Sequence, residues 1–165
     1  MCSVTRRLAA VCVLALLTLG VASRSVSAQD RRNLKGIDSV FVEVETLPNG
    51  ASKLGLSEGT VQTDVEEKLR LAGLRVVTDR EGENLPGSPY LDVRLIATDP
   101  PEAAAIEISL NQNATLERNS AFAPEVETWD KIHVIANPSG QAVRDKIRDS
   151  VDEFLDDWLA VNPKK

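Results

Sequence analysis

His133 is the only histidine among 165 residues, and both cysteines, Cys2 and Cys12, lie close to the N-terminus. Chemistry that needs several imidazoles, or a thiolate outside that first stretch, therefore has no residues to draw on. A hydrolase triad can be assembled on paper from Ser139 or Ser109 with His133 and Asp130, because such a triad needs only a nucleophile, a base and an acid that orients the base. No phosphate-cradling glycine loop and no H-E-x-x-H motif accompanies them. The chain is accordingly read as non-enzymatic, with no catalytic residue, no cofactor and no metal site. A hydrolase using His133 stands as the third reading, behind two binding functions.

The other chemistry-bearing group is acidic. Asp152-Glu153 and Asp156-Asp157 are four residues apart, so on a helix their carboxylates share one face and offer oxygen ligands to a hard cation. Calcium takes six to eight oxygens, usually including loop carbonyls that a regular helix does not free. A solvated helix face is the plainer reading. These acids also fall toward the C-terminal, negative end of the helix dipole, which points to a basic neighbour for that end.

Positioning these residues requires elements that hydrophobic periodicity makes legible. Val40, Val42 and Val44 alternate with Phe41, Glu43 and Glu45, the period of a half-buried strand. Pro48-Asn49-Gly50 ends it. Ser57 is placed as an N-cap, Val61, Val65, Leu69 and Ala72 recur at helical spacing, and Gly73 supplies a left-handed stop, predicting a helix over about Glu58 to Ala72. A short strand over Leu74 to Thr78 then makes a crossover with parallel strands. After a loop from Asp79 to Pro89, Tyr90–Thr98 and Ala104–Arg118 read as a long hairpin turning at Asp99-Pro100-Pro101-Glu102. A last strand spans about Val126 to Ile135. Its alternation puts Asp130 with Val126, Ile132 and Val134, a conflict that a bulge near Trp129-Asp130 would resolve.

The final helix is predicted from about Gln141 to Val161, with Val143, Ile147, Val151, Phe154 and Trp158 forming its apolar stripe. The expected fold is α+β: a mixed, mainly antiparallel sheet of about five strands, in the order β-α-β-β-β-β-α, with two helices on one face. If the helices cover the valine and leucine side, the uncovered side carries Phe41, Glu43, Glu45, Asp92, Arg94, Ile96, Glu107, Ser109, Asn111, Trp129, Lys131 and His133. Mixed charge with aromatics and arginine is the composition of a protein-binding surface. Phe41, Arg94, Trp129, Lys131 and His133 are the candidate partner-binding residues, and a sheet edge offers a second route. An alternative places a small ligand or lipid between the last helix and the sheet, beside Phe154 and Trp158.

The start of the chain supplies the address. Arg6 and Arg7 precede an apolar run from Leu8 to Val21, and Val26-Ser27-Ala28 closes it with small residues, the pattern of a secretory signal peptide over residues 1–28. Cleavage there leaves 137 residues: a polar leader over 29–36, one domain over 37–162 and a short tail over 163–165. Both cysteines and three of the nineteen basic residues fall in the signal peptide, leaving sixteen basic against twenty-five acidic residues, a net charge of −9. That charge repels nucleic acid and anionic lipid. No second apolar run long enough to span a membrane follows. A cysteine-free exported domain points to the bacterial periplasm, with an extracellular location as the alternative.

The helix ending in Leu69-Arg70-Leu71-Ala72-Gly73-Leu74 and the terminal Ile147-Arg148-Asp149-Ser150-Val151-Asp152-Glu153-Phe154, flanking a pair of long strands, give a pattern that resembles small bacterial envelope domains. It is similar in outline to the LPS-assembly lipoprotein of the outer-membrane translocon and to the N-terminal domain of the Tol-system periplasmic propeller protein. The resemblance rests on topology and hydrophobic pattern over most of the mature chain. It implies a periplasmic α+β domain with an envelope protein as partner, and it carries no functional residue. The chain departs from the lipoprotein in having no lipid-attachment cysteine after the apolar run.

Overall fold

A computed structural model describes residues 31–163; the proposed signal peptide and Lys164-Lys165 lie outside the described residues. Five strands form one sheet in the order β2-β1-β3-β4-β5. They are β1 (Ser39–Val44), β2 (Arg75–Val77), β3 (Tyr90–Ala97), β4 (Ala103–Thr115) and β5 (Phe122–Ala136). β1 runs parallel to both β2 and β3, whereas β3, β4 and β5 are antiparallel. The fold is the expected mixed α+β sheet.

Two long helices cover one face. α2 (Glu58–Ala72) starts where Ser57 Oγ accepts from Thr60 N–H and stops at Gly73, whose φ is 96°. Only a residue without a Cβ takes that conformation at little cost. α4 (Gly140–Val161) is capped by Ser139, whose side chain accepts from Ala142 N–H. Val61, Val65 and Leu69 of α2, with Val143, Ile147, Val151, Phe154 and Trp158 of α4, close over Val40, Val42, Leu91, Val93, Ile106, Ile108 and Leu110. Asp64 ties the two helices together, accepting from Arg144 at 2.8 and 2.9 Å and from Arg148 at 3.3 Å. Arg144, through its hydrogen bonds, holds the Asp64 carboxyl below the ordinary aspartate range.

Two short helices were not legible as such. α1 (Asn49–Lys53) replaces the expected turn, and it nestles so close to the β3–β4 hairpin that a Cβ on Gly50 would stand 2.3 Å from the Thr98 carbonyl oxygen. α3 (Asp79–Gly82) occupies the start of the expected loop. There the Glu81 carboxylate accepts from both the backbone N–H and the hydroxyl of Thr78, at 2.9 and 2.8 Å, a capping arrangement that the T-x-x-E spacing carries in the sequence.

Residues 31–36, expected as a loose leader, are held against the domain. Leu34 is fully buried in the core, Arg31 pairs with Asp157 at 2.5 Å, and Asn33 Nδ2 donates to the Thr128 carbonyl at 3.1 Å. The core slot of Leu34 and these polar contacts together hold the segment in place.

Candidate functional site

The face of the sheet opposite the helices is read in rows across the strands. Ile96, Ala105 and Val134 are aligned; next to them stand Arg94, Glu107 and Ile132, then Asp92, Ser109 and Asp130, and then Tyr90, Asn111 and Glu127. β1 extends the last two rows with Glu43 beside Asp92 and Phe41 beside Tyr90. The open face thus has an apolar corner at the β3–β4 turn, an acidic middle and an aromatic end. Ile96, Ile132 and Val134 are 59%, 57% and 75% exposed.

Of the five residues proposed for this face, Phe41 and Arg94 lie on it and three do not. Trp129 stands opposite Leu110, Lys131 opposite Ile108 and His133 opposite Ile106, so all three point to the helix-covered side. Trp129 is 2% exposed, meets Phe154 edge-on with ring centroids 5.2 Å apart, and donates its indole N–H to Asp157 at 3.0 Å. Lys131 and His133 reach Glu153 of α4 at 3.3 and 3.5 Å. The cause is a bulge: Leu110 pairs with Trp129 and Asn111 with Glu127, leaving Thr128 as the extra residue. It falls one residue before the expected position. Val126 is thereby separated from Asp130, Ile132 and Val134, which stay together on the open face.

The paper triad is not assembled. Ser109 and Asp130 pair on the open face while His133 lies on the other, and Ser139 is committed to capping α4. Gly55-Leu56-Ser57-Glu58-Gly59 has the spacing of a nucleophile elbow, a motif whose serine turns from a strand into a helix. Here the preceding element is the short helix α1, and Ser57 Oγ is bonded to Thr60 N–H and Thr60 Oγ1. Phe154 and Trp158, proposed to line a ligand pocket, are instead core side chains at 0% and 6% exposure. Trp158 donates its indole N–H to the Ile37 carbonyl at 2.7 Å, so the space between α4 and the sheet beside these rings is filled by packing.

Three of the four clustered acids of α4, Asp152, Glu153 and Asp157, have basic neighbours. Asp157 is buried between Arg31 and Trp129, Asp152 pairs with Lys68 at 2.6 Å, and Glu153 receives Lys131. Opposite charges close by offset their unfavourable place at the negative end of the dipole. Among the described residues, no group of three or more Asp, Glu or His side chains is disposed to hold a metal ion.

The middle of the open face is electrostatically one-sided. Arg94 spans Glu45, at 2.6 and 2.9 Å, and Glu107, at 3.1 Å, which leaves it no free charge to offer a partner. Asp92 lies farther from Arg94, at 3.9 Å. Its side chain is 13% exposed and its Oδ1 is enclosed with no hydrogen-bond donor. Burial, followed by the repulsion of Glu45, raises the Asp92 carboxyl from 3.8 to about 6. Burial and the neighbouring Asp130 push Glu127 up as well, and the Tyr90 phenol is raised by burial and then by Glu125, Asp92, Glu43 and Glu45.

At the aromatic end lies a cleft of about 590 Å³ between α3, β1, β3 and the start of β5, lined by Phe41, Glu43, Asp79, Gly82, Glu83, Ser88, Pro89, Tyr90, Asn113, Phe122, Pro124 and Glu125. A smaller hollow of about 190 Å³ continues from it over Glu45, Asp92, Arg94, Ser109, Asn111 and Glu127, sharing Glu43 and Tyr90. Sequence reasoning singled out Phe41 but not Tyr90, Phe122 or Glu125. Their convergence depends on β5 reaching back to Phe122, beyond its expected start.

The sheet order also fixes the edges. β2 is only three residues long, whereas β5 is fifteen, and both are outermost. Glu125 has a φ of 51°, and Asn33 occupies the Thr128 carbonyl, so the N-terminal half of β5 is irregular or covered. The segment 130–136 is the regular part of that edge.

No family model and no curated protein sequence matches this chain. Among solved structures, it is similar to a PelC dodecamer subunit from Paraburkholderia phytofirmans, with a TM-score of 0.41 and 12% identity over 75% of this chain and 89% of that one. It is also similar to a minor lipoprotein from Acinetobacter baumannii, with a TM-score of 0.35 and 10% identity over 76% of this chain and 93% of that one.

Proposed function

We propose that this chain is an exported, non-enzymatic domain of the bacterial envelope that holds another envelope protein along the outer edge of β5. The apolar corner of Ile96, Ile132 and Val134 serves as its second contact. The observation that carries this reading is the position of β5: an outermost strand with a regular segment over 130–136 and two large aliphatic side chains standing out beside it. An edge strand presents a row of backbone donors and acceptors with the geometry of a sheet, and an extended segment of a partner satisfies them by adding a strand. Side chains flanking the edge then choose the partner. The signal-peptide pattern over residues 1–28 supports export, and no described helix is long and apolar enough to cross a membrane.

The reading is tested with the full chain carrying a photo-crosslinking amino acid at Val134, and separately at Leu71, which is 76% exposed on the outside of α2. Irradiation of intact cells is expected to give a discrete protein adduct from position 134 and none from 71. Adding Ile132→Asp should remove that adduct, because a charge at the corner opposes apolar burial. Identical adduct patterns from both positions, or none from 134, would overturn the proposed edge.

A further inference from the structure

We infer that the cleft at the aromatic end of the open face is a second recognition site, built for an extended peptide segment bearing arginine side chains. The inference goes beyond the β5 edge and does not depend on it. Phe41, Tyr90 and Phe122 line the cleft together with Glu43, Asp79, Glu83 and Glu125. No lysine, arginine or histidine is among the described residues that line it. Four carboxylates without an internal cation attract a cation from outside, and aromatic faces bind a guanidinium plane by stacking and through the ring quadrupole. Its volume falls in the range of ligand-binding clefts.

An extended occupant is favoured over a small organic cation by what adjoins the cleft. The hollow over Glu45, Asp92 and Glu127 continues from the cleft through the shared Glu43 and Tyr90. The one cation there, Arg94, is already held by Glu45 and Glu107. Glu43, Glu45 and Glu127 also line this second position, so the hollow is acidic in its own right. A single small cation fills one lobe, whereas a chain whose alternate side chains point the same way delivers one guanidinium to each. Phe122, 68% exposed, is the outermost ring of the cleft, which such a chain would cover.

The test uses the purified protein and a fluorescent, acetylated and amidated hexapeptide alternating arginine with serine, read by anisotropy. Its counterpart carries citrulline, the uncharged isostere, in place of arginine. The arginine peptide is expected to bind saturably, with affinity falling as salt rises, and the citrulline peptide to bind at least tenfold more weakly. Glu43→Gln with Glu125→Gln should weaken the arginine peptide about tenfold, and Phe122→Ala several-fold, in proteins whose thermal melts match the parent. No saturable binding, equal binding of the citrulline peptide, or unchanged binding by the folded variants would overturn the site. Displacement of the peptide by spermidine at equal or lower concentration would overturn the peptide as occupant in favour of a free polyamine. Since the β5 adduct is read at Val134, at the far corner of the face, either proposal can fail alone.

Discussion

Replacing Trp129 by alanine is expected to lower the unfolding free energy by about 3–5 kcal/mol, the range for removing a buried aromatic side chain and leaving its cavity. For a domain of this size that is a large share of the whole stability. The ring is 2% exposed and packs edge-on against Phe154, and its N–H is one of two donors satisfying the buried Asp157. The alanine variant therefore also strips a hydrogen bond from a buried carboxylate. Trp129→Phe keeps most of the apolar contact and loses the donor, so a smaller loss of roughly 1–3 kcal/mol is expected. Urea unfolding followed by circular dichroism measures both. A Trp129→Ala protein as stable as the parent would show that this strand does not present its odd-numbered residues to the helices, and would return Trp129 to the open face.

Asp92→Asn is expected to act in the opposite direction. The folded protein holds the Asp92 carboxyl at about 6 rather than 3.8, first through burial and then through Glu45. Between those pH values the folded state binds a proton that the unfolded chain does not, so this group's contribution to stability falls as pH rises through the window. Its penalty is absent below about pH 4 and fully present above about pH 6. The amide removes the ionisation, so the variant should be more stable than the parent at pH 7.5 by roughly 1–3 kcal/mol. The gain should shrink toward zero near pH 4. The groups whose carboxyls are held low, such as Glu45 and Asp64, pull the other way on acidification in both proteins and largely cancel from the difference. A pH-independent difference between parent and variant would remove the electrostatic account of Asp92.

A strained carboxyl of this kind connects stability to binding. An enclosed oxygen without a donor, on a face that gathers Glu43, Glu45, Glu107, Glu127 and Asp130 around one occupied arginine, is destabilising in isolation. A guanidinium brought by a partner to the accessible carboxylates of that face would offset their mutual repulsion, though it would not reach the enclosed oxygen itself. Such a partner binds the folded state alone and raises stability with its concentration.

Much of the scaffold was legible because its signals are local. The Ser57 cap, the Gly73 stop and the spacing of Val61, Val65 and Leu69 bounded α2 within the chain itself, and the stripe from Val143 to Trp158 marked the buried side of α4. Each of these depends on residues a few positions apart. α1 was hidden because Asn49-Gly50 is equally good turn chemistry, and the close packing of Gly50 against the backbone of the distant Thr98, which leaves no room for a Cβ, is a tertiary contact with no local signal.

The functional face was legible only for the strands whose aliphatic residues mostly fall on one side. Along β1, β3 and β4 the valines, leucines and most isoleucines alternate with polar residues, so Phe41 and Arg94 were placed on the open side. Along β5 two patterns compete: Ile132 and Val134 favour one face, Trp129 the other. No local rule weighs them. The larger ring wins because it docks on Phe154 and satisfies Asp157, and Thr128 is extruded so that Val126 can follow it.

What the sequence by itself determined was the five strands and the two long helices, the apolar faces of all of them but β5, the α+β class and the acidic charge, all of which follow from side-chain periodicity and ionisation. The tertiary structure alone decided the outer position of β5, the side taken by its residues, the filling of the space around Phe154 and Trp158, and the meeting of Phe41, Tyr90, Phe122 and Glu125 in one cleft. Those depend on strand order, register and packing between segments as much as 121 residues apart, and an edge or a cleft exists only where distant segments have been brought together.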